Sequence, residues 1–412
     1  MNTASIALLA GMIGGAFADP GAEAATFAEK VVHAFAGGTD GSAPWANLLD
    51  EKGILYGTTT NGGKGCHWAS GCGTAFSIDK KTGMEAVLHA FGQRSLIPYA
   101  GLIDVNGKLY GTTFYGGTES CGGCGTVFSV SRKTGAEKVL HAFAGSTDGA
   151  APTANLTDVN GTLYGTTVLG GRNCADEGGC GTVFSLDPKT RAETVLYSFC
   201  NQQNCVDGTE PEAGLIDVNG ILYGTTCVGG ADSDGTVFSL DPNTGAETML
   251  HSFAGGSADG EYPVASLIDV DGTLYGTTRE GGTDNDGTVF ALDPGTGVET
   301  VLYSFAGGAD GAYPTAGLIN VAGTLYGTTA SGGGTGCSPD PGCGTAFSLD
   351  PSTGTEKVIH SFCSEKNCAD GAQPRAGLID VKGALYGTTV FGGGNDCSPG
   401  PGCGTVFALT KD

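Results

Sequence analysis

The chain has 412 residues, of which 75 are glycine and only 15% are charged. A formal net charge of −24 and a pI near 4.4 argue against nucleic acid as a partner, which needs a basic surface, and against docking on anionic lipid. So much glycine without a period would mean low complexity, but here the glycines recur at fixed places in turns.

In chain order, residues 1–26 read as an export leader. An apolar run from Ile6 to Ala18 ends in small residues at Ala16 and Ala18, as a cleavage site requires. A positive start is missing, and the run is too short and glycine-rich to make a good membrane span. Residues 27–412 read as one domain without a linker. The strand-like "EKVVHAF" (Glu29 to Phe35) comes first and alone. After it "LYGTT" is written seven times, at Tyr56, Tyr110, Tyr164, Tyr223, Tyr275, Tyr326 and Tyr386, in steps of 54, 54, 59, 52, 51 and 60 residues. A period in the fifties means one supersecondary unit repeated in space.

Each unit carries four strand-sized segments, as in "SLIDV", "TLYGTT", "GTVFALD" and "ETVLYSF" between Ser266 and Phe305. They are rich in β-branched and aromatic residues and are bounded by turn formers. Asp-Gly or Asn-Gly joins the first pair, the signal for a tight hairpin, and "DPxTG" joins the last pair. The unit is therefore a four-stranded antiparallel meander, the size of a propeller blade. The seventh unit stops after its third strand, at "GTVFALTKD", and the missing fourth strand is the solitary "EKVVHAF". The prediction is an all-β, seven-bladed propeller whose ring is closed by the N-terminal strand.

Fourteen of the fifteen cysteines form local couples: Cys66/Cys72, Cys121/Cys124, Cys174/Cys180, Cys200/Cys205, Cys337/Cys343, Cys363/Cys368 and Cys397/Cys403. Five couples lie between second and third strands, and two lie between one unit's fourth strand and the next unit's first. They come and go with loop insertions, which reads as disulfides closing those loops in an oxidising compartment. Zinc is the rival, but neighbouring sites would have to share ligands, and no histidine accompanies the couples. "CGGC" at Cys121 opens no helix, so a redox motif is not expected. Cys227 is left over and reads as a buried free thiol.

Residues common to every unit build the blade, and the exceptions are the candidates for function. The "VLHSF" slot, filled by His33, His89, His141, Tyr197, His251, Tyr303 and His360, reads as strand rather than ligand. The "DG" aspartates (Asp40, Asp148, Asp207, Asp259, Asp310 and Asp370) read as turn formers. In "PxA", where each first strand begins, the middle residue is Trp45, Tyr99, Thr153, Glu212, Val264, Thr315 or Arg375. If first strands line the channel, these seven ring its mouth. Aromatic faces there suit apolar sugar surface, while Glu212 and Arg375 suit hydroxyl or carboxylate groups. Arg279, Glu280, His67 and Trp68 also break the pattern. Asp232/Asp234 and Asp284/Asp286 offer carboxylates to Ca²⁺, but too few for a full shell. No cofactor or metal motif is present otherwise.

The repeat "LIDVNGxLYGTTxxGG…GTVFSLDPxTGxExVLHSF" resembles the GloVer-type tandem repeat family of bacterial extracellular proteins, from about Glu29 to Leu409. More loosely it looks like Kelch propeller blades. The resemblance implies an exported propeller, secreted, periplasmic or at the cell surface, and brings no catalytic residues. No sorting tail precedes Asp412, so an anchor is not expected. The leading expectation is a monomeric binding module that takes a glycan or an extracellular protein on its long-loop face. The alternative is a polysaccharide hydrolase or lyase with Glu212 or Glu280 as acid or base and Arg375 or Arg279 stabilising charge. A solvated surface of incidental variety is the plain third reading.

Overall fold

A computed structural model describes residues 26–64, 66, 70–117, 123–172, 179–334, 342–394 and 402–411. The seven repeats form seven four-stranded antiparallel sheets arranged as a propeller ring. Blade 5 is typical: Ile268–Val270, Thr273–Thr278, Thr288–Leu292 and Glu299–Ser304. In blade 7, Phe27–Ala34 pairs antiparallel with Thr405–Lys411, so the N-terminal strand closes the ring. Among the described residues only 3₁₀ turns interrupt the strands, and no helix is long and apolar enough to cross a membrane.

Four of the five letters of "LYGTT" have a distinct task. The leucine is buried in the blade core, as at Leu274. The glycine lies under the phenylalanine of the third strand: a Cβ there would meet that ring at 2.5–2.9 Å in all seven blades. The first threonine donates to the "PxA" alanine carbonyl of the following blade at 2.8–3.5 Å, from Thr58 to Ala100 round to Thr388 and Ala46. The second shares a hydrogen bond of 2.7–2.8 Å with the threonine that opens the third strand, as Thr278 does with Thr288. Beyond suiting a strand, the threonines tie the blade together and bind it to its neighbour.

The seams are apolar and aromatic. The phenylalanine closing each fourth strand meets the third-strand phenylalanine of the following blade edge to face, with centroids 4.9–5.2 Å apart, from Phe35 and Phe76 to Phe362 and Phe407. Such pairs add about 0.5–1.5 kcal/mol each beyond the area they bury. A bulge that the sequence pattern did not announce breaks the pairing of third and fourth strands, for example between Val289 and Phe290. It re-phases the alternation of the fourth strand and turns a backbone carbonyl outward. The "DPxTG" glycine of the following blade sits against it: at Gly354 (φ +66) a Cβ would lie 2.7 Å from Leu302 O.

Disulfides join Cys66 to Cys72, Cys200 to Cys205 and Cys363 to Cys368. Cys124, Cys180, Cys343 and Cys403 are also disulfide-bonded, while Cys121, Cys174, Cys337 and Cys397 lie outside the described residues. Phe35→Ala removes a fully buried ring from the closing seam and is expected to destabilise the domain by about 3–5 kcal/mol in urea unfolding. Val298→Ala, at a side chain 61% exposed, should leave the midpoint unchanged.

Candidate functional site

Two clamps hold the start of each first strand. The "PxA" proline packs on the glycine before the preceding blade's third strand, as Pro314 does on Gly287, and the alanine carbonyl accepts the threonine bond already described. The residue before each proline is left-handed although it is not glycine: Ala43, Ile97, Ala151, Glu210, Tyr262, Tyr313 and Gln373 have φ of 54–57°. Each is pinned by two backbone bonds. Tyr313 N donates to Asp286 O of one blade, and Tyr313 O accepts from Ala330 N. Strain held this firmly sets the direction in which the chain enters the axis. Between the clamps only the middle residue of "PxA" is free to vary, and it points into the channel mouth.

There the seven residues Trp45, Tyr99, Thr153, Glu212, Val264, Thr315 and Arg375 line one pocket of about 510 Å³, with Phe114, Val168 and Arg279. An adjoining hollow of about 240 Å³ is bordered by Glu280, Tyr313 and Ser331 and shares Arg279, Thr315 and Arg375. Below, Asn47, Asn155 and Ser266 narrow the axis among glycines and bond their backbone, as Asn47 Oδ1 accepts from Gly377 N at 2.7 Å.

The mouth is two-sided. On one side the Arg375 guanidinium stacks 4.6 Å from the Trp45 ring; Trp45 meets Tyr99, and Tyr99 meets Phe114, each edge to face at 5.5 Å. On the other side stand Glu212, Arg279 and Thr315, whose Oγ1 is buried without a hydrogen bond. Burial raises the Glu212 carboxyl above its ordinary value; Glu210 adds to this and Arg279 opposes it. Arg279 holds Glu280 at 2.7 Å and covers the Tyr262 ring at 5.6 Å. Thus Glu280 is engaged in an ion pair, while Glu212 is a half-buried carboxyl with no salt bridge among the described residues. His67 and Trp68 lie outside the described residues. Arg279 reaches the main pocket because it follows the two threonines, a slot that Phe114, Val168 and Cys227 share. Cys227 is the free thiol, buried, and burial followed by Glu212 and Glu210 pushes it up to about 12.

A second arrangement recurs at the outer seams. The histidine or tyrosine of a fourth strand and the "DG" aspartate after it face the glutamate opening the next blade's fourth strand. The aspartates do form turns, for Asp310 accepts from Ala306 N at 2.7 Å, but they also hold the ring slot: Tyr303 Oη donates to Asp310 at 2.7 Å and Tyr197 Oη to Asp207 at 2.8 Å. Burial, with the facing aspartate adding to it, raises Glu247 to about 7 and Glu356 to about 8. The junction lacking an aspartate behaves in reverse. Burial alone would raise Glu137, yet bonds to His89 and Ser95 hold it below the ordinary value.

These features define a seven-bladed β-propeller with a lined pocket at one end of its axis. The chain belongs to the Gloeobacter/Verrucomicrobia repeat family, whose model matches residues 21–176 and 121–339. No curated protein matches it. Among solved structures it is similar to an oligogalacturonate lyase in complex with manganese (13% identity, TM-score 0.52, covering 94% of this chain and 96% of that one). It is also similar to the extracellular domain of a provisionally assigned one-component system from B. thetaiotaomicron (12%, 0.53, 91% of this chain and 40% of that one). A provisionally assigned 6-phosphogluconolactonase from Bacteroides uniformis follows (16%, 0.51, 81% and 88%). At such identities the likeness shows the fold alone.

Two measurements follow. Under non-reducing conditions the native protein should resist iodoacetamide at pH 8, and the unfolded protein should expose one thiol, Cys227; several thiols would contradict the cysteine pairing. For stability, Glu247 and Glu356 keep protons in the folded state that the unfolded chain releases above 4.5. Their contribution is present below 4.5 and lost as pH rises through about 7 to 8. Asp40 has the opposite sign: burial would raise it, but the nearby His33 imidazole and a bond from Ala36 N outweigh burial and lower it from 3.8, so its contribution is lost on acidification. The thermal midpoint should therefore fall from about pH 5 to about pH 8, and Glu247→Gln with Glu356→Gln should flatten that limb.

Proposed function

We propose that this protein is an exported binding module that takes a glycan, preferably one bearing carboxylates, in the pocket at the channel mouth. The observation carrying the reading is the two-sided lining of the 510 Å³ pocket. An arc of Arg375, Trp45, Tyr99 and Phe114 faces Glu212, Arg279 and the unpaired Thr315 hydroxyl. Aromatic rings cover the apolar face of a sugar, guanidinium groups pair with its carboxylates in fork geometry, and carboxyl and hydroxyl groups meet its hydroxyls. The volume falls in the range of small-ligand sites. The described disulfides support export, since such bonds persist in oxidising compartments.

Glu212 favours a second reading, a polysaccharide hydrolase or lyase. A carboxyl raised by burial suits a general acid. Against it, Glu280, the second carboxylate this reading would use, is bound to Arg279 and borders the adjoining hollow rather than the main pocket.

Purified, oxidised protein should be incubated with acidic and neutral polysaccharides, following both retention and the release of reducing or unsaturated ends. The expected outcome is retention of an acidic polymer without product, weakened about tenfold or more by Trp45→Ala or Arg375→Ala, a loss of ~1.4 kcal/mol. Product that disappears in Glu212→Gln would make the protein an enzyme; no retention of any polymer would overturn the glycan reading.

A further inference from the structure

The outer seams place metal-ligating groups in a pattern that the channel mouth does not use. At two of the seven junctions the three facing residues converge. His141, Asp148 and Glu193 form one group, and His251, Asp259 and Glu299 the other; in each, one imidazole nitrogen and two carboxylate oxygens lie within 4.8 Å of one another. His141 Nε2 is 3.2 Å from Asp148 Oδ1, and His251 Nε2 is 3.4 Å from Asp259 Oδ2. The same residue types stand at His33, Asp40 and Glu85, but among the described residues their atoms do not close to this distance.

We propose that these two junctions are binding sites for a divalent transition cation of the zinc type, held between adjacent blades. Three observations carry the assignment. The donor set of one imidazole and two carboxylates is that of a borderline cation, whereas calcium would want six to eight oxygens. Second, the seam glutamate keeps one oxygen without a hydrogen-bond partner at all seven junctions, and only in these two groups, among the described residues, do an imidazole nitrogen and an aspartate oxygen converge on such a glutamate; in the second group His251 Nε2 is also without a partner. Buried polar atoms are ordinarily satisfied, so these are donor atoms awaiting a partner. Third, among the described residues no lysine or arginine forms an ion pair with any of the four carboxylates. In each group two carboxylates face each other across the seam beside the imidazole, all three within 4.8 Å. A dication would offset the repulsion between these carboxylates and pin the fourth strands of neighbouring blades to each other across the seam.

The chain supplies its own control. At two junctions tyrosine stands in the histidine slot, and its hydroxyl donates to the aspartate without disturbing the blade. His141→Tyr and His251→Tyr therefore copy arrangements this fold already contains, and they delete the nitrogen ligand while supplying a hydroxyl that donates to the aspartate.

The test is zinc uptake by the full-length oxidised protein after treatment with a chelator, by equilibrium dialysis against Zn²⁺ at pH 7.5 with metal analysis, alongside circular dichroism. Two ions per chain are expected, one lost in each single variant and both in the double variant, with an unchanged spectrum. The thermal midpoint of the parent should rise with zinc and that of the double variant should not. No saturable uptake, or uptake that the double variant leaves unchanged, would overturn the proposal.

Discussion

The structure depends on one constraint: a blade cannot cover its own face. Phe290 and Gly276 in blade 5 leave an aromatic surface that only Phe253 of blade 4 completes, and the same holds at every seam. A stack of such sheets would end in two exposed aromatic faces, which invite aggregation. Bending the stack into a ring removes both ends, but only if the last seam is as good as the others. That is why Phe27–Ala34 is borrowed from the start of the chain, bringing Phe35 onto Phe76. Seams that share one geometry require repeats that share one sequence, and "LYGTT" is the part of the repeat that enforces it.

Uniform seams also decide where function can reside. The proline, the alanine carbonyl and the left-handed residue before the proline are committed to neighbouring blades, which leaves one unconstrained side chain per blade at the axis. Seven such positions become a pocket whose chemistry can be chosen almost independently of the fold. Here the choice is uneven: the aromatic rings and the Arg375 guanidinium gather on blades 7, 1 and 2, and the half-buried Glu212 faces them from blade 4 with Arg279 from blade 5. The outer seams follow another logic, since the Asp and Glu carboxyls forced together there by packing repel unless a proton or a cation stands between them.

Much of this was legible in the chain. Hairpin signals, the alternation of the strands and the displaced "EKVVHAF" led to the ring and its closure, because these are local patterns with local causes. The pocket was legible through contrast, because "PxA" varies in the middle while its neighbours do not. Other features were hidden. Nothing in the letters says that the first threonine of "LYGTT" reaches Ala316 from Thr277, that Ala43 and Tyr313 adopt left-handed backbone, or that a bulge re-aims the fourth strand. Nor could the glutamate of "ExVLHSF" be recognised as the partner of a histidine roughly fifty residues earlier in the chain. These contacts join residues of different repeats, and a repeat read alone contains no information about its neighbour's position.

By itself, then, the sequence determined the blade, the number of blades, the strand that closes them and the positions free to differ, because turn chemistry and strand alternation act over a few residues. Only the tertiary structure decided which of those free positions meet. It set Arg375 on Trp45, engaged Arg279 with Glu280, left Glu212 half-buried in the pocket, and drew His141 to Glu193 across a seam. Those outcomes follow from the curvature of a closed ring, a property of seven blades together that no single repeat encodes.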